Sequence, residues 1–361
     1  MAAALLVTSS AAVYCQSFRF AVVGDVQAPS QKAFDMAKAA VYEELSARTD
    51  IDAAFFLGDL SMENAEILAG TAELFKSWRF PVYAVPGNHD RDGEKMGPRS
   101  LDTWNRVFGS TDTTFVMNGV RFILMNDVRT GSEKEGKDYV GGLSSPQKEW
   151  LDDVLGRKFS GKTVLLSHIG LSSCRGRDSL AVSVTRDKVS MLLNAHTHTA
   201  SRGKWNDIET FDAGAPYAMQ WKKEKASDLM NCGTPRGYFI FTVNPDAPKA
   251  EWLKIEFHSV VKEYPSPAYA CVDADGRLIV NVYGGEKSGR LTAGGREMTW
   301  VKMPDPRISR MANDPDCKIK VKEKSSRHVW ILIDPDVHSG DELTLDYKDK
   351  HLSFTETIHV N

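Results

Sequence analysis

The chain has 361 residues, 42% of them hydrophobic, which is enough apolar material for a full core at a length that suits two domains better than one. Its formal charge of -3 comes from 45 basic and 48 acidic residues spread along the chain. That balance excludes a basic surface built for nucleic acid or for an anionic membrane, and leaves a small molecule as the expected substrate.

Residues 1–15 (MAAALLVTSSAAVYC) carry no charge and match the apolar region of a signal peptide in length, being too short to span a bilayer. The expectation is an exported protein, periplasmic or extracellular, with no transmembrane segment. Cys174, Cys232, Cys271 and Cys317 are widely spaced and show no C-x-x-C pattern, so neither a zinc ribbon nor a dithiol redox motif is present; one or two disulfides and buried free thiols both remain open.

From residue 18 to about 200, short β-rich apolar runs alternate with helical patterns, the mark of an α/β layered domain. Five runs end in a polar side chain able to bind metal: 18–24 before Asp25, 53–58 before Asp59, 81–87 before Asn88, 162–167 before His168, and 190–195 before His196. Ligand sites of open α/β sheets lie beyond the carboxyl ends of their strands, so these five ends are expected to converge. Helices are expected over 30–47, 64–78 and 145–156, the last with Pro146 as its first residue after a serine cap. Two alternating runs between 239 and 257 look like strands closing a second sheet. The YPSP stretch at 264–267 reads as a linker, and the remainder as short strands between Gly, Asp and Pro turns without helical periodicity, a β-sandwich pattern.

The four histidines before His258 all fall at these strand ends: His89 in GNHD, His168 in LLSHIG, His196 and His198 in AHTH. Together with Asp25, Asp59 and Asn88 they make the donor set that two divalent ions need: a carboxylate able to bridge, several imidazoles and neutral oxygens, which suits Mn, Fe or Zn better than Ca.

In order and spacing, GDVQ, GDL, GNHD, SH and AHTH resemble the five blocks of the calcineurin-like metallophosphoesterase superfamily. The resemblance implies a four-layer αββα sandwich over residues 16–262, followed here by a small all-β sandwich domain over 263–361. It implies two metal ions per chain, one held by Asp25, Gln27, Asp59 and His198 and the other by Asp59, Asn88, His168 and His196, with Asp59 as the bridge. It also implies hydrolysis of a phosphomonoester or phosphodiester by a metal-bridging hydroxide attacking in line. His89 then assists the leaving group, and Asp90 orients His89. Gln27 stands where the family commonly has histidine, a weaker ligand; members that cleave nucleotide-sugar diphosphates are similar in this respect. A nucleotide-sugar or nucleotide-alcohol pyrophosphatase is therefore a second reading, and a non-catalytic exported binding protein a third.

Four further blocks, GGLSSPQKEWL (141–151), AHTHT (195–199), CGTPRGY (232–238) and SSRHVW (325–330), are similar to an exported bacterial subgroup with a C-terminal β-sandwich. Outside the metal centre, Arg236 is either a fork for a substrate phosphate or a structural arginine holding its turn. Asn126 and Asp127 are either near the site or a turn after a strand. Trp205, Tyr217 and Trp221 are expected to pack, and the five histidines from His258 onward to be surface or structural.

Overall fold

The computed structural model describes residues 16–93, 99–131, 138–221, 228–248, 251–317, 321, 323–333 and 336–361. The expected export signal at 1–15 lies outside them.

In the first part of the chain the strands are β1 (Phe18–Val23), β2 (Ala53–Phe56), β3 (Val82–Ala84), β4 (Thr113–Met117), β5 (Val120–Leu124) and a short pair, β6 (Val128–Thr130) and β7 (Tyr139–Gly141). They continue as β8 (Lys162–Leu166), β9 (Met191–Asn194), β10 (Ala200–Trp205), β11 (Ile208–Ala213), β12 (Gly237–Val243) and β13 (Leu253–Ser259). Two mixed sheets result, of order β13-β12-β1-β2-β3 and β10-β11-β9-β8-β5-β4.

Alternation along β1 shows why both faces of this sheet are apolar. Phe18, Phe20 and Val22 enter the core between the sheets, whereas Ala21 and Val23 face the helices. Phe20, Phe55 and Phe122 close that inter-sheet core, with ring centroids 5.1 Å apart for Phe20–Phe55 and 4.7 Å for Phe55–Phe122. The runs at 239–257 do not close a second sheet: β12 pairs antiparallel with β1 and extends the first. Their alternation established strand, but pairing partners are a long-range property that alternation does not carry.

The expected helices form. The first runs as α1 (Gln31–Ala37), a π-helical turn (Lys38–Tyr42) and α2 (Glu43–Ser46). The second, α3 (Ala65–Lys76), starts from Asn64, whose side chain accepts from Glu66 N and Ile67 N. After α4 (Asp102–Val107), α5 (Ser145–Gly156) is capped by Ser144 in a capping box with Gln147, so Pro146 is its second residue, not its first. Helix α6 (Arg177–Ser183) follows.

Beyond residue 267 the strands are β14 (Ala268–Val272), β15 (Arg277–Val282), β16 (Arg290–Ala293), β17 (Arg296–Glu297), β18 (Thr299–Met303), β19 (Ser326–Ile333), β20 (Glu342–Lys348) and β21 (Ser353–His359). They make two four-stranded sheets, β14-β15-β19-β18 and β17-β16-β20-β21. Leu278, Val280 and Trp330 of one and Leu291, Leu345 and Tyr347 of the other share one core. A helix unforeseen in the sequence, α7 (Pro306–Asn313), sits among them; Asp305 caps it, accepting from Arg307 N. Its local signal was the Asp-Pro start. Cys174, Cys232 and Cys271 are buried free thiols. No helix among the described residues is long and apolar enough to cross a membrane.

Polar contacts tie these β-sheets to the preceding part of the chain. Arg202 Nη1 donates to Asp349 Oδ2 (2.6 Å), and His328, fully buried, meets Ala200 O through Nε2 (3.0 Å). Glu209 meets His351 Nε2 at 2.7 Å and Lys350 Nζ at 2.5 Å. Burial alone would push the Glu209 carboxyl up, but the hydrogen bonds from His351 and Lys350 outweigh it and hold the carboxyl down to about 2. The stabilisation it contributes is therefore fully present above the ordinary value of 4.5 and is lost as the pH falls from 4.5 to about 2. Denaturant unfolding followed over that window should show a shallower decline for Glu209→Gln than for the unaltered protein. Parallel curves would show that the contact contributes nothing.

Candidate metal centre

Strands β1, β2 and β3 are parallel neighbours, as are β8 and β9 in the facing sheet. Their carboxyl ends point the same way, and the loops that follow bring Asp25, Asp59, Asn88, His168, His196 and His198 together. Two glycines make the approach possible. A Cβ on Gly87 would lie 2.1 Å from Asp59 Oδ1, and one on Gly58, whose φ is +90°, would lie 2.7 Å from His168 Nδ1. The glycines of GD and GNHD are thus space requirements of the site. Gln27, Asp59, His196 and His198 all adopt positive φ (48°, 52°, 64° and 51°), a backbone conformation that non-glycine residues rarely keep unless their surroundings impose it.

The donor atoms form two groups that share Asp59. Asp59, His168 and His196 make one and Asp25, Asp59 and His198 the other, with the atoms in each group within 4.8 Å of one another. His168 Nδ1 donates to Leu57 O (2.7 Å), which turns Nε2 inward, 3.1 Å from Asn88 Oδ1, 3.1 Å from His196 Nδ1 and 3.5 Å from Asp59 Oδ2. His198 Nδ1 donates to Ala218 O (3.1 Å), and its Nε2 stands 3.4 Å from Asp25 Oδ1. Asp25 Oδ2 accepts from His196 N (3.0 Å), whereas Oδ1 is buried with no hydrogen-bond partner. An orphaned carboxylate oxygen facing imidazole nitrogens costs several kcal/mol as it stands (~1–3 kcal/mol or more for a charged group) and suits a cation.

The electrostatics agree. Burial disfavours the charged ring of His168, yet the attraction of Asp59 and Asp25 outweighs it and raises the ring to about 10. Burial likewise works against the Asp59 carboxylate, but His168 holds it well below the usual carboxylate range. Burial and then the His168 charge push His196 down to about 4, so its ring is a neutral donor. A divalent ion takes the place of a proton at such nitrogens.

Gln27 is buried beside Asp59, its Nε2 donating to Asp59 Oδ2 at 3.0 Å and its backbone N to Asp59 O at 2.6 Å. The end of the amide turned to the Asp59 carboxylate is thus its NH2 group.

His89 stands at the mouth of the centre, a quarter exposed, its backbone N donating to Asp59 Oδ1 (2.8 Å). The expectation that Asp90 orients its ring is corrected here. Asp90 is fully buried and accepts from Ser61 N (2.9 Å) and Gly87 N (3.0 Å), tying its own loop to the one after β2. Burial and then repulsion from Asp59 push its carboxyl up to about 7. The carboxylate that meets His89 is Glu63, with Oε1 2.6 Å from Nδ1 and 3.1 Å from Arg91 Nη2. Glu63 and His89 lie on the loops after β2 and β3, and no motif spacing reports a contact between adjacent loops.

Of its two readings, Arg236 fits the structural one. It is 5% exposed, its Nη2 donates to Gln220 O (2.6 Å), and the guanidinium lies 4.8 Å over the ring of Trp221, whose Nε1 donates to Val26 O (2.7 Å). It braces the chain behind Gln27. Asp127 supports the site from beneath: Oδ1 accepts from His168 N (3.1 Å) and Ile169 N (3.0 Å). Tyr217 lies edge-on to His198, ring centroids 5.7 Å apart. Tyr139, His89 and Asn231 share with the metal-ligand candidates a cavity of about 300 Å³.

A family model described as calcineurin-like phosphoesterase matches residues 18–200, just over half of the 361-residue chain. The chain belongs to the calcineurin-like phosphoesterase family. As a member it is a metallophosphoesterase, a hydrolase of phosphoester bonds. Among solved structures it is similar to a dimetal phosphatase from Danio rerio (14% identity, covering 74% of this chain and 96% of that one, TM-score 0.43). It is also similar to GAP50, the anchor in the inner membrane complex of Plasmodium (13% identity, 68% and 85%, TM-score 0.41). A putative 5'-nucleotidase from Staphylococcus aureus is a third (12% identity, 67% and 53%, TM-score 0.39). No curated protein matches the chain.

Proposed function

We propose that this metallophosphoesterase hydrolyses phosphomonoesters or phosphodiesters at a binuclear centre. Asp25, Gln27, Asp59 and His198 would hold one ion, and Asp59, Asn88, His168 and His196 the other. The observation that carries the reading is the pair of donor groups meeting at Asp59, with a buried, unpartnered Asp25 oxygen between the imidazoles. Borderline-soft imidazole with carboxylate suits Mn, Fe or Zn. Two such ions, when bound, neutralise the anionic oxygens of the ester and bring the pKa of a water toward neutrality.

The protein's own groups supply the rest. Glu63 accepts the Nδ1 proton of His89 and fixes the ring, leaving Nε2 to hold the proton that passes to the leaving oxygen. Asp127, Leu57 O and Ala218 O keep the imidazoles in their ligating orientation. Gln27, standing where the family commonly has histidine, supports a second reading in which the bond cleaved is the diphosphate of a nucleotide-sugar or nucleotide-alcohol.

We further infer a catalytic domain over 16–262 and a β-sandwich domain over 263–361, since the strands of the two central sheets end at Ser259 and the later sheets start at Ala268. The charge-free segment 1–15 supports export.

The test is to strip the protein of metal, reconstitute it with Mn, Fe, Zn or Ni, and assay p-nitrophenyl phosphate and bis-p-nitrophenyl phosphate. Two ions per chain with metal-dependent turnover are expected, and the faster substrate names the ester class. Two ions without turnover of either ester or of a nucleotide-sugar would remove the hydrolytic reading. Fewer than one ion would favour a binding protein.

A further inference from the structure

Residues of three sequence blocks that belong to neither donor group of the metal centre meet at one place. Thr197 and Thr199 of AHTHT, Cys232 of CGTPRGY and Ser325, Ser326 and Arg327 of SSRHVW all line a single cleft of about 430 Å³. The cleft lies where β10 and β11 face β19 and the segment before it. Thr197 also lines the cavity of the metal centre, so the two are neighbours across this residue.

The chemistry of the cleft is cationic and rich in hydroxyls. Lys204, Lys324 and Arg327 border it, all exposed, together with the hydroxyls of Thr197, Thr199 and Ser325. Among the described residues that line it, Asp212 is the one acid. Its Oδ2 accepts from Ser201 Oγ (2.9 Å) and its Oδ1 from Asn194 Nδ2, so both oxygens are engaged by neighbouring side chains. Burial pushes that carboxyl up to about 7, which weakens its charge further.

Arg327 is placed, not merely present. Its neighbour His328 is buried and bonded to Ala200 O (3.0 Å), its own carbonyl accepts from Trp300 Nε1 (2.9 Å), and a Cβ on Gly203 would lie 3.3 Å from its Nη1. The guanidinium therefore reaches from the C-terminal sheets across the bare backbone of β10.

We propose that this cleft binds the distal, anionic and hydroxyl-bearing part of an elongated phosphoester, of the glycosyl phosphate class, while the scissile phosphate sits at the metal centre. The inference rests on the hydrolytic reading above and assigns to the C-terminal module a share in substrate selection. Charge-assisted contacts from Arg327 and Lys324 hold the second anion, and the threonine and serine hydroxyls meet the polyol.

The experiment compares p-nitrophenyl phosphate, which lacks a distal anion, with glucose 1,6-bisphosphate, using the full chain and the variants Lys324→Gln/Arg327→Gln and Arg327→Lys. In the double variant KM for the bisphosphate should rise about tenfold or more with kcat unchanged, while both constants for p-nitrophenyl phosphate stay within about twofold. Arg327→Lys should restore most of the loss. A rise in KM shared equally by both substrates, or none for the bisphosphate, overturns the proposal. If the metal-loaded protein turns over neither compound, the hydrolytic reading fails, and titration calorimetry of glucose 1,6-bisphosphate decides the cleft by itself. Binding weakened about tenfold in the double variant upholds it; unchanged binding, or none to the unaltered chain, overturns it.

Discussion

Replacing Asp59 by asparagine is expected to lower kcat/KM for any phosphoester by at least about 10³-fold, equivalent to ~4 kcal/mol of transition-state stabilisation, and to reduce bound metal below two ions per chain. Asparagine keeps the shape and an acceptor for the backbone N–H of His89, which lies 2.8 Å from Asp59 Oδ1, so the loop after β3 should hold. What is lost is the one charge shared by both donor groups. An amide oxygen bridges two divalent ions poorly, and without the Asp59 charge His168 loses the principal attraction that opposes its burial. Metal content by elemental analysis and initial rates on p-nitrophenyl phosphate check this. Two ions and full rates in the variant would show that the centre is organised around another residue.

His89→Ala carries the second-largest effect, and its signature is selective. If His89 gives the leaving oxygen its proton, the loss should depend on how much that oxygen needs one: about 10²–10⁴-fold for an alkyl phosphate and far less for p-nitrophenyl phosphate, whose leaving group departs readily as an anion. Metal content should remain at two ions per chain, because His89 belongs to neither donor group. Glu63→Gln should reproduce the same dependence on the leaving group at about tenfold, since an amide facing Nδ1 no longer fixes the ring as the carboxylate does at 2.6 Å. Equal losses on both substrates would mean that His89 binds the phosphoryl group without donating a proton, and a silent Glu63→Gln would remove Glu63 from the mechanism.

The donor set was legible before any coordinates because it is written in local sequence. A buried strand that ends in Gly-Asp or Ser-His displays its chemistry within two or three residues, and five such ends in series leave few arrangements other than convergence. The helices at 64–78 and 145–156 were legible for the same reason, since Asn64 and Ser144 cap within three residues of themselves.

Whatever required two loops or two modules to meet was decided by the tertiary structure alone. The partner of His89 is Glu63, not its neighbour Asp90, because the loops after parallel β2 and β3 lie side by side while Asp90 turns inward to the backbone N–H groups of Ser61 and Gly87. The pairing of β12 with β1, the bracing of Arg236 on Trp221, and the meeting of Arg327 with β10 follow from packing between segments distant in sequence. By itself, then, the sequence determined the donor-bearing residues, their order and the layered class of the fold. Which carboxylate meets His89, and which basic side chains face the neighbouring cleft, was decided only when the sheets closed, because hydrogen bonds and salt bridges between loops leave no periodic trace along the chain.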